Sequence, residues 1–133
     1  MIVFVCVDDR DGMMFNGRRL SQDRKLREAV LETASPGRLW MNEYSRGQFP
    51  QEASICVSRD FLSLAQEKDF CFVEDQDLSA FSGRISKIIL FHWNRSYPAD
   101  FYFDRSLLEG RSLVYSEEFK GFSHEKITRE DYV

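Results

Sequence analysis

The chain has 133 residues, 43% of them hydrophobic, with twelve Phe, five Tyr and two Trp, and a formal net charge of −4. That length supports one domain spanning residues 1–133 whose core needs no metal or disulfide staple, and the composition excludes a disordered chain. The acidic balance gives no whole-molecule attraction to nucleic acid or an anionic membrane, and no apolar run approaches the roughly 20 residues of a membrane-spanning helix.

Ile2-Val3-Phe4-Val5-Cys6-Val7 is an unbroken apolar run closed by the acidic, glycine-ended turn Asp8-Asp9-Arg10-Asp11-Gly12. It lacks the polar alternation of a half-exposed strand, which predicts a strand covered on both faces. Asp8–Leu20 reads as one long loop of mixed polarity. A helix is expected from Ser21, whose hydroxyl offers an N-cap, with the Asp23 carboxylate in the first turn where the helix dipole favours it. Leu26, Ala29, Val30 and Ala34 form its apolar stripe, and Pro36-Gly37 stops it.

Arg38–Met41 reads as a short buried strand, and Asn42 caps a brief helix through Phe49. Ser54–Ser58 is a further strand, Asp60–Gln66 a short helix and Phe70–Val73 a fourth strand, followed by turn-rich sequence to Gly83. Ile85–Trp93 holds the most apolar run of the second half, Ile88-Ile89-Leu90-Phe91, and predicts a central strand. After Pro98, Leu113–Tyr115 and His124–Tyr132 suggest two antiparallel strands joined near Gly121. Alternating strand and helix followed by strands alone implies an α/β fold: a mostly parallel, mixed sheet flanked by helices, with antiparallel strands at the C-terminal end.

Chemistry is sparser than architecture. Asp9-Arg10-Asp11-Gly12 begins like a calcium loop, but Val7 and Arg18 stand where oxygen ligands are needed. His92 and His124 are the only histidines, and Cys6, Cys56 and Cys71 lack Cys-x-x-Cys spacing, so no metal and no iron–sulfur site is expected. An odd number of thiols inside apolar runs, together with no signal-peptide pattern, points to a cytoplasmic protein. Neither a Gly-x-Gly-x-x-Gly, a Walker loop nor a Gly-x-Ser-x-Gly elbow occurs, which leaves serine nucleophile chemistry without a sequence signature. His92, following an apolar strand, reads first as a hydrogen-bonded structural histidine. Arg18, Arg19, Arg24, Lys25 and Arg27 form a local basic cluster. It reads either as a solvated helix face paired with Asp23 and Glu28, or as a clamp for phosphate or carboxylate. The aromatics Trp40, Phe91, Trp93 and Tyr97 read as core.

The order of these segments resembles the dihydrofolate reductase fold. Val7-Asp8-Asp9-Arg10-Asp11-Gly12-Met13 is similar to that family's first strand and Gly-Met loop, and Lys87–Trp93 to its later central strand. Ala99–Asp104 is similar to its Gly-Asp-Thr-His-Phe-Pro segment, and Ser123-His124 to the Ser-His opening its last strand. The departures concern the cofactor. The family's Gly-Gly turn has no counterpart between Glu74 and Gly83, Glu43 replaces the arginine of its phosphate turn, and Phe91 stands where the threonine partner of its substrate acid would be. The resemblance thus implies the fold without nicotinamide-dependent hydride transfer and with no cofactor. The chain also resembles short bacterial proteins that share an Asp-Asp-x-x-Gly-Met-Met-Phe-Asn opening and a Trp-Asn-Arg-x-Tyr-Pro-Ala-Asp stretch. These often carry a ribonuclease Z name, whose clustered histidines are missing here.

The function expected is non-catalytic binding of a small anionic or nucleotide-like ligand. The alternatives are a small-molecule enzyme using Asp23 and His92 for acid–base chemistry, or a structural protein–protein interaction domain. The expected pocket lies where Asn16–Leu20 meets the helix start, facing the strand end at His92, because parallel sheets gather ligands at the carboxyl ends of their strands. Asn16, Arg18, Arg19, Asp23, His92 and Asn94 are its candidate residues, with the two arginines as anion contacts and Asp23 orienting a polar ligand edge.

Overall fold

The computed structural model describes residues 1–133. Strand β1 (Ile2–Val7) sits at the middle of a seven-stranded sheet, pairing in parallel with β6 (Phe70–Phe72) on one side and β7 (Lys87–His92) on the other. Beyond β6 lie β4 (Leu39–Met41) and β5 (Cys56–Val57), both parallel. Beyond β7 lies β10 (Ile127–Tyr132), antiparallel to it, and then β9 (Leu113–Phe119), antiparallel to β10. The sheet is therefore mixed and mostly parallel, with the antiparallel pairs at one end, as the sequence predicts, and β1 and β7 are its central strands.

Strand parity explains why both runs are apolar throughout. Val3, Val5 and Val7 of β1 enter one core with Ile88 and Leu90 of β7, under Phe61 and Leu62 of the short helix α3 (Phe61–Leu64). Phe4, Ile89 and Phe91 enter the other, under Leu26, Val30 and Ala34 of helix α1 (Arg24–Ala34). Each strand is covered twice, so neither face tolerates a polar residue.

Several boundaries differ from the sequence expectations. Asp8–Leu20 is not one loop: β2 (Gly12–Phe15) and β3 (Arg18–Arg19) form a hairpin, and β2 also pairs with β8 (Phe101–Tyr102) in a separate three-stranded sheet. The hairpin turn is Asn16-Gly17, with φ of 51° and 74°. Two positive φ values in a two-residue loop match the twist of an antiparallel hairpin and favour Asn-Gly. The first helix starts at Arg24, not Ser21, because the Asp23 carboxylate takes the cap position and accepts from the Lys25 and Leu26 N–H groups. The helix expected through Phe49 is a single turn, α2 (Glu43–Arg46), capped by Asn42.

The two edges of the main sheet are unequal. β5 is two residues long, whereas β9 is seven, and Leu113, Val114 and Tyr115 within it are exposed.

Candidate functional site

Three polar groupings mark the carboxyl ends of the central strands. The first is built on Asp23, which the fold buries at the start of α1. Its Oδ1 accepts from the N–H groups of Lys25 (2.8 Å), Leu26 (3.3 Å) and Phe122 (3.0 Å). Its Oδ2 accepts from the Ser123 N–H (2.9 Å) and hydroxyl (3.3 Å) and from His124 Nδ1 (2.8 Å). Burial pushes the Asp23 pKa up, but the Ser123 and Phe122 N–H groups, the His124 ring and the Lys25 N–H outweigh it and hold the carboxyl far below the usual range. Asp23 is therefore ionised, and six donors use all of its accepting capacity.

An ionised carboxylate only accepts, so a neutral His124 carries its proton on Nδ1 and presents an unprotonated Nε2. Ser21 Oγ lies 2.9 Å from that nitrogen and donates to it. Trp93 stacks on the imidazole with ring centroids 4.7 Å apart and an interplanar angle of 27°. Gly121 lets the loop approach this closely, since a Cβ there would meet Asp23 Oδ2 at 2.7 Å.

The second grouping closes over the ends of β1 and β6. Arg19 forks onto Glu74 through Nε (2.9 Å) and Nη2 (3.1 Å), while Ser45 Oγ donates to the same carboxylate at 2.8 Å. The guanidinium lies 4.3 Å from the centre of the Tyr44 ring. Burial pushes the Arg19 pKa down, but the hydrogen bond and charge of Glu74 outweigh it and raise it. At the end of β1, burial and then the Glu74 charge push the Cys6 thiol well up, against a smaller opposing effect of Arg19. Cys6 is thus a protonated thiol and a poor nucleophile.

The third lies on the other face of the sheet. His92 Nε2 meets Glu130 Oε1, which also accepts from Tyr132 Oη at 3.2 Å.

The expected residues do not converge on one pocket. Trp93 enters the core under α1 and touches His124, so its neighbour His92 points to the opposite face. Asp23 and His92 are consequently separated by the sheet. Asn94, at φ 59°, donates to Lys126 O and Thr128 Oγ1 and ties the end of β7 to β10. Asn16 occupies the hairpin turn, where its N–H donates to Asp100. Arg18 is exposed, beside Phe15 across the hairpin ladder, with no carboxylate within 4.0 Å. Within the basic cluster, Arg24 and Lys25 pair loosely with Glu28 at 3.8 and 3.7 Å. No three His, Cys, Asp or Glu side chains are grouped to hold a metal ion.

Residues that the sequence reading left out complete the site: Glu74, Tyr44 and Ser45 around Arg19, and His124 with Ser21 around Asp23. Of these, Ser21 carried a sequence signal as a helix-cap hydroxyl, and His124 one through the likeness of Ser123-His124 to the opening of a last strand.

No family model matches the chain, and no curated protein is similar to it in sequence. Among solved structures, dihydrofolate reductase from Enterococcus faecalis, complexed with NADP(H) and RAB-propyl, superposes with a TM-score of 0.69 over 98% of this chain and 94% of that one. The fold is that of dihydrofolate reductase. At 9% identity the likeness concerns architecture alone. No helix of this dihydrofolate-reductase-like fold is long and apolar enough to cross a membrane.

Proposed function

We propose that this chain binds a small anionic or nucleotide-like ligand at the carboxyl ends of its central strands and does not reduce it. One observation carries the reading: the hairpin projects an exposed arginine without a counter-ion, Arg18, beside the exposed ring of Phe15. A free guanidinium grips phosphate or carboxylate in a fork, and an adjacent ring offers a stacking face. The fold adds weight, because a solved neighbour of the same architecture carries NADP(H).

Hydride transfer is not part of the reading. Glu43, exposed at the head of α2, puts a negative charge where the resemblance expects a phosphate-gripping arginine. Residues 79–84 form a 3₁₀ turn in place of a glycine-led helix for a pyrophosphate. Acid–base chemistry shared between Asp23 and His92 has less support, since the two side chains lie on opposite faces.

Thermal unfolding with ATP, AMP and inorganic phosphate tests the binding. A ligand at a hundredfold excess over its dissociation constant stabilises by about 2.7 kcal/mol. The expected result is such a shift with at least one phosphate-bearing compound, lost in Arg18→Ala. Absence of any shift, or a shift that Arg18→Ala keeps, would overturn the reading. Steady consumption of NADPH with dihydrofolate would overturn its second half.

A further inference from the structure

We propose that Ser21, His124 and Asp23 form a nucleophilic centre that transfers the acyl group of small activated esters or thioesters through an acyl-serine intermediate. This activity is independent of the ligand site at Arg18.

The geometry has the three roles such chemistry needs. A hydroxyl donates to an imidazole nitrogen at 2.9 Å, and the other imidazole nitrogen donates to a carboxylate at 2.8 Å. Roles are graded by depth. The Asp23 and His124 side chains are 0% and 2% exposed, whereas Ser21 is half-buried and reaches the surface. A buried carboxylate saturated by backbone donors cannot swing away, and Trp93 fixes the plane of the imidazole, so the base is held in one tautomer and one orientation.

Donors for a developing oxyanion are also at hand. Ser21 and Gln22 lie outside every helix and strand, and their backbone N–H groups donate to no acceptor in the protein. The N–H following a nucleophilic serine is a common oxyanion donor. Beside the centre, Phe122 is exposed, with the Arg24 guanidinium 5.6 Å from its ring centre. This gives an apolar rest for an acyl or leaving group and a cation for an anionic one.

In the first step Ser21 Oγ forms a bond to the carbonyl carbon, and its proton passes to His124 Nε2. The carbon–oxygen or carbon–sulfur bond to the leaving group then breaks, and the leaving alcohol or thiol takes that proton. Water attacks the acyl-serine in the second step and gives a proton to Nε2. The carboxylic acid leaves, and the proton returns to Ser21 Oγ.

A fluorophosphonate probe on the full chain, followed by intact mass and peptide mapping, tests the centre. One adduct on Ser21 is expected, together with p-nitrophenyl acetate turnover. Ser21→Ala should abolish the adduct and lower turnover by roughly 100-fold, the scale of a general-base-assisted step, with an unchanged thermal transition. Ser21 is half-buried and donates only this one side-chain hydrogen bond, so the variant should fold. No adduct, an adduct on Ser123 instead, or equal turnover in Ser21→Ala would overturn the proposal. A purely structural hydrogen-bond chain gives that null result while leaving ligand binding at Arg18 intact.

Discussion

The Asp23 centre and the Arg19–Glu74 bridge both pin a loop to the ends of the sheet with charge, and they do so in opposite ways. Arg19 and Glu74 neutralise each other in a fork, with a tyrosine ring and a serine hydroxyl completing the shell. Asp23 has no Lys or Arg against it and is held by backbone N–H groups, a hydroxyl and an imidazole. A closed ion pair uses its charge up in holding the loop. A carboxylate held by backbone N–H groups and an imidazole passes its influence on through His124 to Ser21.

The sharpest way to break this contrast is Asp23→Ala. It strands six donors, two at the start of α1 and four on residues 122–124, and urea unfolding should show a loss of about 3 kcal/mol or more. The same carboxylate makes stability depend on pH. Its pKa is lower folded than unfolded, so its contribution is complete above the ordinary Asp range near ~3.9 and is lost as pH falls below it. Asp8, Asp69 and Asp131 are also held low, so Asp23→Asn should flatten only part of the acid limb in a pH series of unfolding midpoints.

Gly121→Ala disturbs the centre without touching its chemistry. The added methyl would lie 2.7 Å from Asp23 Oδ2 and 3.0 Å from the His124 carbonyl oxygen, and neither can retreat. The expected cost is about 2 kcal/mol, with slower probe labelling of Ser21. Glu74→Gln should cost less, about 1–2 kcal/mol, because Arg19 keeps 20% exposure and regains water. It should leave phosphate binding at Arg18 unchanged, because Arg18 and Arg19 are consecutive in β3 and their side chains leave the hairpin on opposite faces. Calorimetry showing altered binding in Glu74→Gln would sink that distinction. Arg18→Ala should move the unfolding free energy by less than ~0.5 kcal/mol while removing the ligand shift.

The sequence was most readable where burial dictates composition. Ile2–Val7 and Ile88–Phe91 have no polar residue because two cores cover them, and that signal gave both central strands and the mixed sheet. It was least readable where partners are remote. Local reasoning sees Ser21 as a cap because caps act two or three residues ahead, whereas Asp23 wins that position with help from residues 99 to 101 positions away. The hairpin was within reach: Asn16-Gly17 is a strong two-residue turn signal, but Arg18-Arg19 lacks the apolar alternation that marks a strand. Convergence of Asp23 with His92 fails on parity alone, since one step along β7 exchanges the two faces and brings Trp93 to the side of Asp23 instead.

The unequal edges of the sheet give the molecule a direction. β5 ends one side after two residues, too short to template another strand, while β9 leaves a seven-residue ladder with every second N–H and C=O turned outward. Glu117, Glu118 and Lys120 put charge along or just past that border and discourage casual pairing. Any lengthening of the sheet, in solution or in an aggregate, would therefore proceed from the side built by the last 21 residues and leave the β5 side a terminus.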